Sequence, residues 1–312
     1  MEINQLECLI TAGNTGVGSC FFDIKNMVGA ILAPKGYELD VVDLQANLIA
    51  AAHNASKANR IYPIYDLVNT TDNTEDKIVQ TMNTGAKYVV REGDNDWKFQ
   101  YVDGGLSLNK ELRKFNGSSW DFYFVDATNQ LIGVQGSTAT KIKAIPSRFF
   151  WASPFKLNDG TKITEYMIQF VFETKHLNDF YAIVKADFDI PTIVKGLQNV
   201  TVTGTGSAVP GTYDMEVLTT ATKSNLGDTF GDDLADPALW VATNFLTGNA
   251  ITISTTVYNA VTKKYALGLN VADPDYPGVG EFSNINIAAP AVLQAAGIDG
   301  YESTGAAKIV KN

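Results

Sequence analysis

ITEYMIQFVFE, residues 163–173, is the stretch on which the fold turns. Thr164, Tyr166, Ile168, Phe170 and Phe172 fall on one side of an extended chain; Glu165, Gln169 and Glu173 fall on the other. Period-two alternation of this kind marks a strand with one face buried and one face wet. Eleven extended residues reach roughly 36 Å, longer than most strands in a compact enzyme. The length suits a strand that crosses a subunit and continues into a sheet shared with a neighbour, or a sandwich strand broken by a bulge.

Outward from this strand the pattern is mostly β. Arg148-Phe149-Phe150-Trp151, between Pro146 and Pro154, is an aromatic segment that needs a surface to pack under. WDFYFVD (120–126) alternates Trp120, Phe122 and Phe124 against Asp121, Tyr123 and Val125, turns through Ala127 to Gln130 and returns as LIGV, a hairpin. In DWKFQY (96–101), Trp97, Phe99 and Tyr101 oppose Asp96, Lys98 and Gln100, and AKYVVRE (86–92) reads as its hairpin partner through Gly93-Asp94-Asn95. Two helices interrupt the strands. One covers 40–53, with Asp40 as cap, Asp43 in the first turn and Val41, Leu44, Leu48 and Ala52 at helical spacing. The other starts at a Ser107 cap and presents Leu108, Leu112 and Phe115 on one side. The first thirty residues, punctuated by Gly13, Gly16, Gly18 and Gly29, read as an extended arm.

Composition changes near residue 198, which predicts two domains, 1–197 and 198–312. The second part has five Lys, no Arg or His, and eleven carboxylates, giving it -6 of the chain's net -10. Its short runs VTVTGTG, YDMEVLTTA, ITISTTVY, KYALGLNV and SNINIAA are bounded by turn residues, as in an immunoglobulin-like sandwich, without the Cys…Trp…Cys spacing of antibody domains. DPALWVATNF (236–245) fits a short helix and a strand equally, and AVLQAAGI (291–298) reads as a helical turn ended by Gly297.

Apolar residues make up 45% of the 312 and charged residues 19%, so each part has material for a core. The acidic balance argues against gripping a phosphate backbone, which needs clustered cations. Two cysteines, Cys8 and Cys20, and two histidines, His53 and His176, leave little for thiolate or imidazole chemistry. There is no HExxH, P-loop, GxSxG or dinucleotide fingerprint. His53 closes a helix, where a cation complements the dipole. Three acidic clusters, Asp94/Asp96, Asp228/Asp232/Asp233/Asp236 and Asp273/Asp275/Glu281, read first as solvated turns; none has the EF-hand register, and Asp228, Asp232, Asp233 and Asp236 are the best calcium candidates. Nothing at the N-terminus reads as a secretory signal, and no apolar run is long enough for a membrane helix, so a reduced, cytoplasmic setting without membrane contact is expected. No catalysis and no cofactor are expected.

CLITAGNTGVGSCFFDIKNMVGAILAPKGYEL (8–39), DNTEDKIVQTMNTGAKYVVREGDNDWKFQY (72–101) and LRKFNGSSWDFYFVDATNQLIG (112–133) resemble virion structural proteins of tailed phages of Bacteroidetes-type hosts. ADPDYPGVGEFSNINIAAPAVLQAAGIDGYES (272–303) resembles a β-sandwich module attached to such proteins. Within a virion, two hairpins, a short helix and a long strand look most like a tail-tube subunit with an immunoglobulin-like C-terminal domain. That resemblance implies a mainly β fold, a tube-like sandwich or barrel, with copies assembled in the host cytoplasm into stacked, hexameric rings around a channel that passes DNA without specific binding. The implied partners are further copies and other virion proteins. Lumen-facing candidates are then Asp96, Gln100, Glu165, Gln169 and Glu173. Subunit-interface candidates are Phe21, Phe22, Phe149, Phe150 and Trp151, with the N-terminal arm and the loop around 69–85 reaching neighbours. A capsid-associated ring or connector protein of the same virion is the next reading. A glycan-binding adhesin module, with Trp97, Trp120 and Trp151 available to stack on sugars, is the reading from another class.

Overall fold

A computed structural model describes residues 27–91, 93–101, 105–156, 166–173, 181–206, 209 and 211–311. The chain is mainly β and divides into two compact units between Gly196 and Leu197. In the first unit the order is β1 (Met27–Pro34), β2 (Glu38–Asp40), α1 (Leu44–Ala52), β3 (Tyr62–Tyr65), β4 (Leu67–Asp72), β5 (Ile78–Thr81) and β6 (Lys87–Arg91). It continues as β7 (Asn95–Tyr101), α2 (Gly105–Leu112), β8 (Trp120–Asp126), β9 (Gln130–Gln135), β10 (Lys141–Lys143), β11 (Ser147–Ala152), β12 (Tyr166–Phe172), β13 (Tyr181–Lys185) and α3 (Ile190–Ile193).

Three layers result. The middle one is a sheet in the order β2-β10-β9-β8-β1-β3, with β13 also on β9. Its strand β8 is buried on both sides, which explains why WDFYFVD is apolar almost throughout. Phe122 and Phe124 pack one way, against Phe99, Phe150, Phe170 and Phe172 of a second sheet ordered β11-β12-β7-β4. Tyr123 and Val125 pack the other way, with Leu44, Leu48, Ala51 and Ala52 of α1 and Ile190 of α3. The β8–β9 hairpin forms as read, with Phe124 opposite Ile132, and Asp126 Oδ1 accepts from the backbone N–H of Thr128 and Gln130 across the turn.

Four local readings change. Met27–Ala30, read as part of the extended arm, already belong to the buried strand β1, and residues 1–26 of that arm lie outside the described residues. β6 does not pair with β7; it pairs with β5, and β7 lies between β12 and β4. The apolar face of β7 is buried only beside a strand that alternates in step with it, and Tyr166, Ile168, Phe170 and Phe172 do so, whereas Tyr88, Val89 and Val90 run consecutively. The first helix starts later than expected: Asp40 Oδ1 instead accepts from Val42 N in a turn, and Asp43, at φ 54°, precedes Leu44 without a side-chain cap. Ser107 lies inside α2, which begins at Gly105. Of the long strand, Tyr166–Phe172 is strand with the expected alternation, and 163–165 lie outside the described residues.

The second unit runs β14 (Gln198–Gly206), β15 (Thr212–Thr219), β16 (Trp240–Asn244), β17 (Ala250–Ile251), β18 (Ile253–Asn259), β19 (Lys264–Leu269), β20 (Phe282–Ile287), α4 (Pro290–Ala295), β21 (Tyr301–Ser303) and β22 (Ala307–Val310). Two sheets, β18-β19-β15-β14-β21 and β17-β16-β20-β22, enclose a core of Val200, Met215, Val217, Trp240, Tyr265, Leu267 and Ile285. DPALWVATNF is both things in turn: Asp236 accepts from Ala238 N and opens a 3-10 turn, Pro237–Leu239, after which β16 begins at Trp240. The helical turn α4 is followed by Gly297 at φ 83°, a backbone state that favours glycine.

Candidate assembly surface

The sheet β11-β12-β7-β4 has one face in the core and one outward, and strand alternation decides which residues meet outside. Phe149 and Trp151 of β11, Gln169 and Val171 of β12, Asp96, Lys98 and Gln100 of β7, and Asn69 and Thr71 of β4 share the outward face by register. Trp151 stands opposite Gln169, Gln169 opposite Lys98, and Lys98 opposite Thr71, so one row crosses all four strands. Gln169 Nε2 donates to both carboxylate oxygens of Asp96 at 2.8 and 2.7 Å, and Asn69 Nδ2 donates to Gln100 Oε1 at 2.8 Å.

Three lumen candidates, Asp96, Gln100 and Gln169, therefore lie on one surface. Glu173 does not join their row; it follows the strand end and pairs with Lys35 Nζ at 3.1 Å, on the turn between β1 and β2. Glu165 lies outside the described residues, as do Phe21 and Phe22. The face is polar and mixed in sign, because Lys98 stands among Asp96, Gln100 and Gln169; a uniformly acidic wall is not what these strands present. Phe149 and Trp151 add parallel, part-exposed rings with centroids 6.2 Å apart. Phe150 points the opposite way and is fully buried, so it packs inside its own unit and is not available to a neighbour.

Buried polar contacts hold β11 in place. Asp121 of β8 is almost fully buried and accepts from Gly36 N at 2.6 Å and Ser147 N at 3.1 Å, tying the β1–β2 turn and the start of β11 to the middle sheet. Burial pushes its carboxyl above the usual range; the two backbone donors and Lys35 oppose that shift, and Glu173 adds to it. At the other end of β11, Asn116 Nδ2 donates to Ala152 O and its Oδ1 accepts from Ala152 N, while Asn109 Nδ2 donates to Ser153 O and to the Tyr101 hydroxyl.

Beyond β4 and β7 the same ribbon continues as an arm. Asn73 N donates to Asp96 O and Glu75 N to Asp94 O, and ion pairs Arg148–Asp94 and Arg91–Glu75 brace this neck. The neck needs Gly93, where any Cβ would stand 1.7 Å from the Glu75 carbonyl oxygen. Past it, β5 and β6 form a two-stranded hairpin whose every residue is exposed. Ile78, Val79, Met82, Tyr88, Val89 and Val90 are between 40% and 61% accessible. Residues 77–91 contain Lys77, Lys87 and Arg91 and no carboxylate, leaving 21 cations against 34 carboxylates in the rest of the chain. The exposure of this hairpin escaped sequence reasoning, although its unalternating YVV run and one-sided charge were signals of it.

The other sequence candidates do not converge. Asp236 caps its 3-10 turn, Asp228 pairs with Lys263 at 3.4 Å, and Asp232 and Asp233 are exposed on a separate 3-10 turn. Among the described residues no group of three His, Cys, Asp or Glu side chains is placed to hold a metal ion, and no helix is long and apolar enough to cross a membrane. His53 ends α1, as its position predicts, and Cys8, Cys20 and His176 lie outside the described residues. No protein-family model matches the chain, and no curated protein matches it.

Proposed function

We propose that this chain is a structural subunit of a tailed-phage virion, of the tail-tube kind, that works by binding further copies of itself and not by catalysis. The observation that carries the reading is the arm: six large apolar side chains on a ribbon with no covering layer among the described residues. Monomeric proteins rarely leave large apolar surface bare, and an isolated hairpin is marginal in water. Its cationic charge suits the acidic surface of another copy. Heterologous contacts of this sort close into rings or stack into tubes, and the polar face bearing Asp96, Gln100 and Gln169 is a surface along which DNA slides without being held. The second unit is then an immunoglobulin-like appendage.

Electron microscopy of the purified protein tests this. Stacked hexameric rings or tubes are expected, and replacing residues 77–91 by a short turn abolishes them; monomers at high concentration overturn the reading. Single rings that never stack favour a connector or capsid-associated role instead. One observation favours a glycan-binding alternative, the parallel part-exposed pair Phe149 and Trp151 beside Gln169. Binding on a glycan array that is lost in a folded Trp151→Ala variant selects that alternative.

A further inference from the structure

Asn116-Gly117 is the one Asn-Gly pair in the sequence. Asn116 has φ -57° and ψ 136°, Gly117 has φ 80°, and Ser118 N donates to Phe115 O at 3.2 Å, which together make a type II turn. A Cβ at Gly117 would meet nothing within 4 Å, so the turn lies open on that side. Such a pair is chemically labile. The Gly117 amide nitrogen attacks Asn116 Cγ, an N–Cγ bond forms, the Cγ–Nδ2 bond breaks, and Nδ2 leaves as ammonia with the proton from the Gly117 nitrogen. Water then opens the cyclic imide at either carbonyl, giving aspartate or isoaspartate.

The fold opposes the ring closure. Both polar atoms of the Asn116 amide are engaged by Ala152, at 2.7 Å from its N–H and 3.0 Å to its C=O. Ring closure brings the Gly117 nitrogen onto Asn116 Cγ, which takes rotation about Cα–C away from ψ 136° and rotation about Cα–Cβ, and the second of these pulls the amide off Ala152. Asn116 occupies the place a neighbouring strand would take on the outer edge of β11, pairing with one residue of it as a strand does.

We propose that Asn116 is a latent deamidation site gated by this edge: it reacts only when the end of β11 is released, and its product keeps the edge released. Aspartate would set a carboxylate oxygen against the Ala152 carbonyl in place of a donor, and isoaspartate would lengthen the backbone of the turn. Deamidation is thus a one-way change that uncovers backbone at Ala152, next to Trp151 on the outward face. The inference stands on the turn and the β11 edge alone and does not require the assembly reading.

Peptide mapping by mass spectrometry on the full chain, aged at mildly alkaline pH with and without urea, gives the first test. Conversion at Asn116 at least about tenfold slower in the folded chain is expected, since the open population sets the rate; equal rates with and without urea overturn the gate. Hydrogen exchange gives the second. In Asn116→Asp the Ala152 amide is expected to exchange at least about tenfold faster than in the parent, and unchanged exchange overturns the claim that the product holds the edge open. Should Asn116→Asp fail to fold, the same exchange measured on the aged, deamidated wild-type fraction decides the point.

Discussion

Two hairpins of the first unit are built from the same kinds of residue and meet opposite fates. β8–β9 turns at Asn129, φ 61°, and β5–β6 turns at Gly85, φ 81°. Both are rich in β-branched and aromatic side chains, the composition that suits strands. Yet Phe122, Tyr123, Phe124 and Val125 are fully buried, and Ile78, Val79, Tyr88, Val89 and Val90 are all exposed. Local propensity made both into strands; only the layers above and below β8 made one of them core. An apolar hairpin without such layers is a binding element or a liability, and the braced neck at Gly93, Asp94 and Glu75 is what keeps this one extended from the sheet.

The contrast can be broken most forcefully at Phe124. Phe124→Ala empties a site among Phe99, Phe122 and Phe172 and is expected to cost about 3–5 kcal/mol, read from urea unfolding of the first unit. A cost below that of an ordinary surface change would mean the two sheets are not packed as described.

Asp121→Ala comes next. It strips the acceptor from the buried N–H of Ser147 and from the N–H of exposed Gly36, at roughly 2 kcal/mol, since an unsatisfied buried donor costs about 1–3 kcal/mol. Because burial raises the folded carboxyl above its ordinary value, this group also makes the parent gain stability as pH falls through the folded value toward 3.8. That gain should vanish in the variant when acid titrations of stability are compared.

Alkali sharpens the comparison from the buried side. Tyr181 of β13 has its hydroxyl pushed up by burial to about 12, from 10.0. The unfolded chain loses that proton first, so this contribution is intact below pH 10 and is lost as pH rises through about 12. Tyrosinate absorbance for this residue should therefore lag an ordinary tyrosine and rise together with loss of circular dichroism. Rise without loss of structure would show that β13 is wet. The smallest effect on folding belongs to the arm: Val89→Ser should change stability by no more than about 0.5 kcal/mol, while weakening self-association measured by sedimentation. A stability loss as large as that of Phe124→Ala would mean the arm folds back on its own unit.

Alternation was enough to read β7 and β12, because a strand with one dry face writes that face into every second residue; β8 and β9 were read from their apolar runs around a turn, and β14, β15, β18, β19 and β20 from short runs bounded by turn residues. The turn at Asn129 and the stop at Gly297 were legible for the same reason, since backbone geometry there restricts residue type. On the candidate surface, alternation also sorted Asp96, Gln100 and Gln169 to one side. Partnership was not legible. Which strand lies beside β7, why Phe150 is core while Phe149 and Trp151 are not, and why KYVVR stays bare all depend on what packs across a sheet. Asp121 could not be picked out either, since a buried carboxylate that binds two distant backbone N–H groups looks like any aspartate in a strand.

What the sequence determined by itself is a mainly β chain whose strands, turns and short helices follow from periodicity and from residues with restricted backbones. What only the tertiary structure decided is pairing and coverage. Those arise from contacts between segments far apart in sequence, where the free energy of burying one face depends on the face that meets it, and no local pattern carries that information.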